Sequence, residues 1–364
     1  MEKNKKVLLG MSGGVDSSVS AILLKEQGYE VIGITMNFLS SNNENAEKDA
    51  KKVCDYLGIK HYVVDLKQEF YDHVIKKFIC EYSNCRTPNP CIECNKYLKF
   101  GAMYEKAKEF GADYIATGHY AKIEFDKNYN RYVLKKSNSS KKDQSYVLYN
   151  VSKEILDKIL FPLADFENKD EIRNIAKKHG LSVASKSDSE DICFIPDGNY
   201  KKYLEENSEI KKNSGNIVDK NGKVLGKHNG LYYYTIGQRK GLGIAHPVPL
   251  YVLGFNKTKN EVIVGPKEEL FSKEIIVKDV NWLLIDKLDE KINAKTKIRY
   301  AAKEAESIIE KIDENTVRVI FDEPQRGVTP GQSAVFYIND IVLGGGKIDG
   351  WIRKHYCSSK RKCK

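Results

Sequence analysis

The chain has 364 residues, with 60 basic and 50 acidic side chains, 41% hydrophobic content, eight cysteines and nine prolines. This composition excludes collagen, coiled coil and disorder, and the length suffices for two or three domains with cores of their own. No run approaches the roughly 18 to 20 consecutive apolar residues of a membrane span, and Met1 to Gly10 is too short in apolar character for a signal peptide, so a soluble cytoplasmic protein without membrane contact is expected.

In chain order, Lys6 to Leu9 reads as a buried strand, Val15, Val19, Ile22 and Leu23 fall at helical spacing, and Glu30 to Met36 returns to strand. The alternation continues with a helix over 47–57, a strand over 59–65, helices over 70–82 and 95–110, and a strand at 114–116. Repeated βα units predict an α/β fold with a doubly wound parallel sheet. From Ser185 to Phe194 a polar stretch reads as a loop, and helical periodicity is then scarce. Short β runs bounded by Asn221-Gly222, Asn229-Gly230 and Pro330-Gly331 predict two small β-rich modules, the second a β-barrel. The expected units are 1–205, 206–275 and 276–364.

The net charge of +10 is uneven. Residues 1–200 carry 30 basic and 29 acidic groups, residues 201–364 carry 30 and 21, and residues 201–260 alone 11 and 4. An anionic partner on the second half is one reading, unpatterned surface lysine the other.

Chemistry concentrates in two segments. Gly10-Met-Ser-Gly-Gly-Val-Asp-Ser17 lies where the first strand turns into the first helix, and its adjacent glycines, serine hydroxyls and free helix N–H groups form an anion cradle. It lacks the Gly-Lys-Ser/Thr of the Walker loop and the Gly-x-Gly-x-x-Gly of dinucleotide folds. In Arg86-Thr-Pro-Asn-Pro-Cys91-Ile-Glu-Cys94-Asn-Lys96, two prolines precede a helical run, so Cys94 sits near a helix N-terminus with Lys96 close by, which favours thiolate. Cys193 lies about a hundred residues on, in the polar loop. Zinc binding by Cys80, Cys85, Cys91 and Cys94, redox chemistry, sulfur transfer and plain burial all remain open for these thiols. Cys54 reads as buried and inert, Cys357 and Cys363 as incidental in a basic tail.

Ser12-Gly-Gly-Val-Asp-Ser17 resembles the signature of the PP-loop ATP pyrophosphatases, which cleave ATP between the α and β phosphates and transfer AMP to a substrate oxygen. The resemblance implies that Gly10, Met11, Ser12, Gly13, Gly14, Val15, Asp16 and Ser17 line an ATP site, with Met36 placed for the adenine and Gly118 beside it. By itself Met36 reads as a core residue and His119 as a structural histidine. Mg²⁺ is expected to neutralise the phosphates.

Pro88-Asn-Pro-Cys-Ile-Glu-Cys-Asn95, Gly118-His-Tyr-Ala121, Lys142-Asp-Gln144, Asp191-Ile-Cys-Phe194, Tyr234-Thr-Ile-Gly-Gln-Arg-Lys-Gly-Leu-Gly243 and Thr329-Pro-Gly-Gln332 occur in this order. Together they resemble the tRNA-specific 2-thiouridylase family across essentially the whole chain. That family replaces O2 of the wobble uridine, position 34 of Lys, Glu and Gln tRNAs, with sulfur. The resemblance implies Cys94 as nucleophile, Cys193 as persulfide carrier, and a transient disulfide between them. It further implies that Asn89, Pro90 and Cys91 face the target base, that His119, Lys142, Asp143, Gln144, Arg299, Tyr300 and Gln332 contact tRNA, and that a cysteine desulfurase or relay protein donates sulfur. Cys91 stands where many members have Asp, so a carboxylate role does not carry over. Cys91, Cys94 and Cys193 holding an iron–sulfur cluster is the alternative route. Two other readings are a different PP-loop ligase or amidotransferase, and a zinc-stabilised RNA-binding module without catalysis.

Overall fold

The computed structural model describes residues 5–39, 44–186 and 192–351. Val7, Leu8 and Leu9 are wholly buried, leaving the first strand, β1 (Lys6–Gly10), no solvent face, and it lies at the centre of its sheet. β2 (Glu30–Asn37), β3 (Lys60–Asp65), β4 (Tyr114–Ala116) and, across a hairpin β5 (Lys122–Asp126) and β6 (Arg131–Lys135), the short β7 (Ile159–Leu160) follow. The sheet order is β3-β2-β1-β4-β7, and every pairing is parallel. The predicted doubly wound sheet is therefore present, with the order reversing between β1 and β4. Such a reversal opens a crevice at the carboxyl ends of the two strands.

Helix α1 (Val15–Glu26) buries Val15, Val19, Ile22 and Leu24 against this sheet, Leu23 being only partly covered. Helix α2 spans Glu44–Leu57. The next two predicted helices are present but not uniformly α. The first runs as Lys67–Phe70, a π-helical turn Tyr71–Ile75 and Lys76–Ser83; the second as Pro90–Cys94, a π-helical stretch Asn95–Ala102 and Met103–Glu109. Sequence reading passed over the helix Lys169–Lys178, although Asn168 and Glu171 form its capping box. It also passed over Tyr200–Asn207. The polar loop is described only in part, 187–191 lying outside the described residues, as does the basic tail beyond Trp351.

The central sheet comprises β8 (Gly215–Val218), β9 (Val224–His228), β10 (Tyr251–Asn256) and β11 (Glu261–Gly265), in the order β10-β11-β8-β9. Asn221-Gly222 makes the β8–β9 turn, as its sequence predicts. The last unit comprises β12 (Phe271–Trp282), β13 (Ile292–Lys297), β14 (Ala305–Asp313), β15 (Thr316–Arg326), β16 (Ser333–Ile338) and β17 (Ile341–Trp351). Pairing of β12 with both β15 and β17 closes these six strands into the predicted barrel. Strand alternation gives β16 two faces: Ala334 and Phe336 fill the barrel, while Val335 and Tyr337 join Ile92, Phe100, Tyr146 and Tyr149 in a core shared with the N-terminal half. The hairpin β5–β6 crosses the same divide, because Lys135 of β6 pairs with Ile341 of β17.

Charged groups reinforce the joint. Arg86 binds Glu81 at 2.7 Å and Asp349 at 2.9 Å, and Lys278 reaches Asp349 at 2.6 Å. Lys347 of β17 sits between Glu81 at 3.3 Å and Glu93 at 3.2 Å, and Lys77 meets the other oxygen of Glu93 at 2.9 Å. Burial pushes the Glu93 carboxyl up, but Lys347 and Lys77 outweigh it and hold it below the ordinary 4.5. A depressed folded pKa contributes stability above the unfolded value and loses it as pH falls through the folded one. Glu93→Gln is expected to cost about 3 kcal/mol at neutral pH. In urea unfolding the deficit relative to wild type should shrink as pH drops below about 4.5; a deficit independent of pH would show that the Glu93 charge contributes nothing.

Candidate active site

The loop after β1 has little freedom. Gly13 takes φ +67°, and a Cβ there would fall 2.3 Å from the Ala46 carbonyl oxygen, so only glycine fits. Gly14 is the N-cap of α1 and supplies no side-chain cap, leaving the first helical N–H groups available to an anion. The Ser12 and Ser17 hydroxyls lie 3.2 Å apart, with Ser12 N–H donating to Ser17 Oγ. Thr35 Oγ1 donates to the Met11 carbonyl oxygen at 2.9 Å and fixes the loop from below. Asp16 binds Lys169 at 2.6 Å and accepts from Tyr120 Oη at 2.8 Å. Lys186 donates to the Gly13 carbonyl oxygen at 3.0 Å. This is an anion cradle with its own cations at hand.

The loop after β4 closes against it. A Cβ on Gly118 would meet the Ser17 nitrogen at 2.9 Å, so this glycine permits the two loops to touch. From the other side, a Cβ on Gly10 would meet Met103 Sδ at 3.4 Å and Met36 Cε at 3.7 Å. Met36 thus adjoins the loop, at the end of β2. His119 is buried, its Nδ1 2.7 Å from Thr117 Oγ1 and its ring against Phe100 and Phe161. Burial drives its pKa well down, which keeps it neutral. Phe100 belongs to the same helical run as Cys94, so phosphate loop, His119 and thiol helix form one packed unit.

Asn89 caps the helix Pro90–Cys94 by accepting from Cys91 N–H at 3.2 Å, with Pro90 at the first helical position. Cys91 is exposed; Cys94, one turn on, is buried among Phe70, Phe78, Leu98 and Phe194. Cys193 is exposed, yet its neighbour Phe194 packs in that same cluster. The three thiols are close enough for Cys91 and Cys193 to act electrostatically on Cys94. The thiolate expectation for Cys94 fails here. Burial pushes its thiol up to about 12, and the cation that opposes this is Lys99, not Lys96, whose ammonium is bound to Asn150 at 3.2 Å. Cys94 does lie near a helix N-terminus, although the helix starts at Pro90 and not at the predicted 95, and tertiary burial outweighs that position. Burial also raises Cys193. Cys54 is buried as expected, its thiol pushed up to about 11. Among the described residues no group of three or more His, Cys, Asp or Glu is arranged to hold a metal ion.

Three family descriptions match in succession: a tRNA methyl transferase HUP domain over residues 5–197, a tRNA methyl transferase PRC-barrel domain over 201–266 and an aminomethyltransferase beta-barrel domain over 272–348. The tRNA-specific 2-thiouridylase MnmA of Clostridioides difficile is 48% identical over 359 residues, covering 96% of this chain and 99% of that protein. Its counterpart in Acetivibrio thermocellus is 51% identical over 356 residues, covering 94% and 99%. The chain belongs to the tRNA-specific 2-thiouridylase family. Among solved structures, a 4-thiouridine synthetase–RNA complex with bound ATP is 18% identical over 56% of this chain and 50% of that one, with a TM-score of 0.35, a likeness too slight to carry weight.

Family membership directs attention to the residues that sequence reading assigned to tRNA. Tyr300 is exposed and in edge contact with Tyr146, with Lys297 within 5.6 Å of its ring; Cys91, Lys142 and Asp143 all act on its hydroxyl electrostatically. Tyr300, Lys297 and Lys142 are therefore neighbours of Cys91. Several of the others are turned inward. Asp143 accepts from Ser137 and Ser145 N–H and from Ser145 Oγ, and burial raises its pKa. Gln144 accepts from Tyr120 N–H, and Arg299, though exposed, donates to the Arg326 carbonyl oxygen at 2.9 Å. Gln332 donates to the Thr87 carbonyl oxygen at 2.8 Å, fastening the segment that leads to Asn89 and Cys91 onto the barrel. Tyr232 is a core residue, packed in the same cluster as Cys94 and Phe194.

Exposure of Cys91 and burial of Cys94 set an order of reactivity. A small neutral alkylating reagent near neutral pH is expected to modify Cys91 at least about tenfold faster than Cys94, followed by peptide mass spectrometry. Equal rates would contradict the closed setting of Cys94.

Proposed function

We propose that the chain is an ATP-dependent tRNA uridine 2-sulfurtransferase acting on the wobble uridine of Lys, Glu and Gln tRNAs. What carries the reading is the packing of one helical run, Pro90–Glu109, against both the phosphate loop, through Met103 and Gly10, and the Cys193 segment, through Cys94 and Phe194. ATP and thiol chemistry are thereby held side by side. The working division is a PP-loop ATP-binding and catalytic unit (1–205), a central β-rich unit (206–275) and a barrel unit (276–364), with the first barrel strand reaching back to Phe271.

A pyrimidine carbonyl oxygen is a poor leaving group. The uncapped N–H groups of α1 and the Ser12 and Ser17 hydroxyls hold the triphosphate of ATP, Met36 and Gly118 border the nucleotide, and the uridine O2 attacks the α-phosphorus with loss of pyrophosphate. Mg²⁺, when bound, neutralises phosphate charge; no described residues form a cluster that pins its ligands. The terminal sulfur of a persulfide on Cys193, loaded by a cysteine desulfurase or relay protein, then attacks C2 and AMP departs. The Cys94 thiolate attacks the Cys193 sulfur, releasing 2-thiouridine and leaving a Cys94–Cys193 disulfide, which a two-electron thiol reductant restores. Burial, which pushes the Cys94 thiol up, disfavours that thiolate in the closed arrangement. Seating the target base beside Asn89, Pro90 and Cys91 must open its surroundings.

The mutual proximity of Cys91, Cys94 and Cys193 favours the iron–sulfur route as a second reading. As arranged, the three do not form a metal-holding group, and no step is assigned through a cluster. No described helix is long and apolar enough to cross a membrane, which accords with a cytoplasmic setting.

Unmodified tRNA, ATP, Mg²⁺ and a persulfide donor should yield 2-thiouridine, AMP and pyrophosphate, and Cys94→Ser or Cys193→Ser should lower 2-thiouridine by at least about a thousandfold. Cys91→Ser, assayed anaerobically with iron content, separates the routes: unchanged turnover supports the persulfide, and loss of both iron and activity supports the cluster. Absence of 2-thiouridine under aerobic and anaerobic conditions alike would overturn the assignment.

A further inference from the structure

Two lysines follow Cys94 closely on its helical run, and they differ in their partners. Lys96 donates to Asn150 and lies over the Tyr97 ring. Lys99 is half-buried and, among the described residues, has neither a hydrogen bond nor an ion pair. A half-buried cation without a counter-ion is available to pair with an anionic ligand.

The backbone decides where this charge is presented. Lys99 follows Cys94 by five residues, which in an α-helix would set it about 140° away around the axis. The stretch Asn95–Ala102 is π-helical, however, and i→i+5 pairing brings residue i+5 back toward the face of residue i. The flanking side chains define that face. Leu98 packs in the cluster of Cys94 and Phe194, and Phe100 lies against His119 at 5.8 Å. Lys99 therefore emerges between the thiols and the His119 end of the phosphate site, and its charge reaches Cys94, Cys193 and His119 alike.

We propose that Lys99 is a positioning residue for sulfur transfer, its ammonium pairing with the anionic sulfur carried by Cys193 and holding it toward the reacting carbon. This rests on the sulfurtransferase reading. The phosphate cradle has cations of its own in Lys169 and Lys186, whereas among the described residues Lys99 is the cation acting on both Cys94 and Cys193. Its negative partner is consumed when sulfur bonds to carbon, and the charge leaves on AMP, so the pairing favours delivery without retaining product.

The test reads the field at Cys193 directly and at a single pH. Labelling rates with a neutral methanethiosulfonate and with its anionic sulfonatoethyl counterpart are compared in the full chain without tRNA. Lys99→Gln is expected to lower the anionic-to-neutral rate ratio about fivefold, and Lys99→Arg to preserve it. In a single turnover with tRNA, ATP and donor, Lys99→Gln should lower the rate of 2-thiouridine formation by at least about thirtyfold, while the rate of pyrophosphate release stays within about twofold of wild type. An unchanged labelling ratio overturns the proposal. So does pyrophosphate release that falls as far as thiolation, which would assign Lys99 to the nucleotide. Because the labelling ratio needs no turnover, a wild-type chain that fails to thiolate tRNA would count against the function while leaving the charge assignment tested.

Discussion

The arrangement of the molecule depends on how the Glu81–Glu93 segment is tied to the barrel. Arg86, Glu81, Lys347, Glu93 and Asp349 are all largely buried, and they alternate in sign from the helices of the N-terminal half to strand β17. Ion pairs in such settings contribute little net stability, because desolvation offsets most of the attraction. What they impose is geometry, since any sliding of barrel on helix leaves a buried charge without its partner. Two hydrogen bonds, from Thr87 N–H to the Pro330 carbonyl oxygen and from the Gln332 side-chain amide to the Thr87 carbonyl oxygen, repeat the constraint over uncharged groups. The peptide leading into Cys91 and Cys94 is thus held by two units of the chain at once.

That hold explains a tension at the thiols. Cys94 stands one turn inside a capped helix, a position that favours ionisation, yet it is enclosed by aromatic and aliphatic side chains that disfavour it more strongly. A sulfur nucleophile exposed to solvent would meet oxidants and stray electrophiles. One that is buried until substrate arrives is protected, at the expense of needing a rearrangement. The cluster that covers Cys94 draws Phe194 from the segment of Cys193 and Tyr232 from beyond the N-terminal half. Both segments therefore help to build the apolar surroundings of the thiol.

The legible parts of the sequence were those governed by local period. Strands β1 to β4 and helix α1 follow from runs and spacings within a dozen residues, and the Gly13-Gly14 turn declares its own backbone conformation. Pairings across long separations left no such trace. Nothing in Lys122 to Lys135 indicates a hairpin that joins the edge of a barrel strand some two hundred residues later. Glu93 and Lys347 are ordinary charged residues until the fold sets them 3.2 Å apart. The helix carrying Cys94 was read as uniformly α, so the π-helical stretch that re-aims Lys99 was invisible, although Gly101, whose Cβ would crowd the Lys96 carbonyl oxygen at 2.9 Å, marks its tight backbone. Gln332 shows the same limit from the other side. A motif located it, but only coordinates reveal that its amide is spent on Thr87.

Charge distribution gains meaning from the same geometry. The N-terminal half is nearly neutral overall, yet around the reaction centre its cations are individually placed: Lys169 and Lys186 at the phosphate loop, Lys99 between the thiols and His119. The basic excess of residues 201–260 is of a different kind. Arg239 and Lys240 stand exposed on the turn-rich stretch after Tyr234, and among the described residues their side chains form no ion pair. Charges in solvent give long-range, salt-sensitive attraction to a polyanion without selecting a sequence. Charges half-buried beside a reacting atom act over one or two residues and are scarcely screened. A tRNA-modifying enzyme needs both, the first to gather substrate and the second to decide what happens to one base, and this chain keeps them in separate units joined through the segment that bears Cys91 and Cys94.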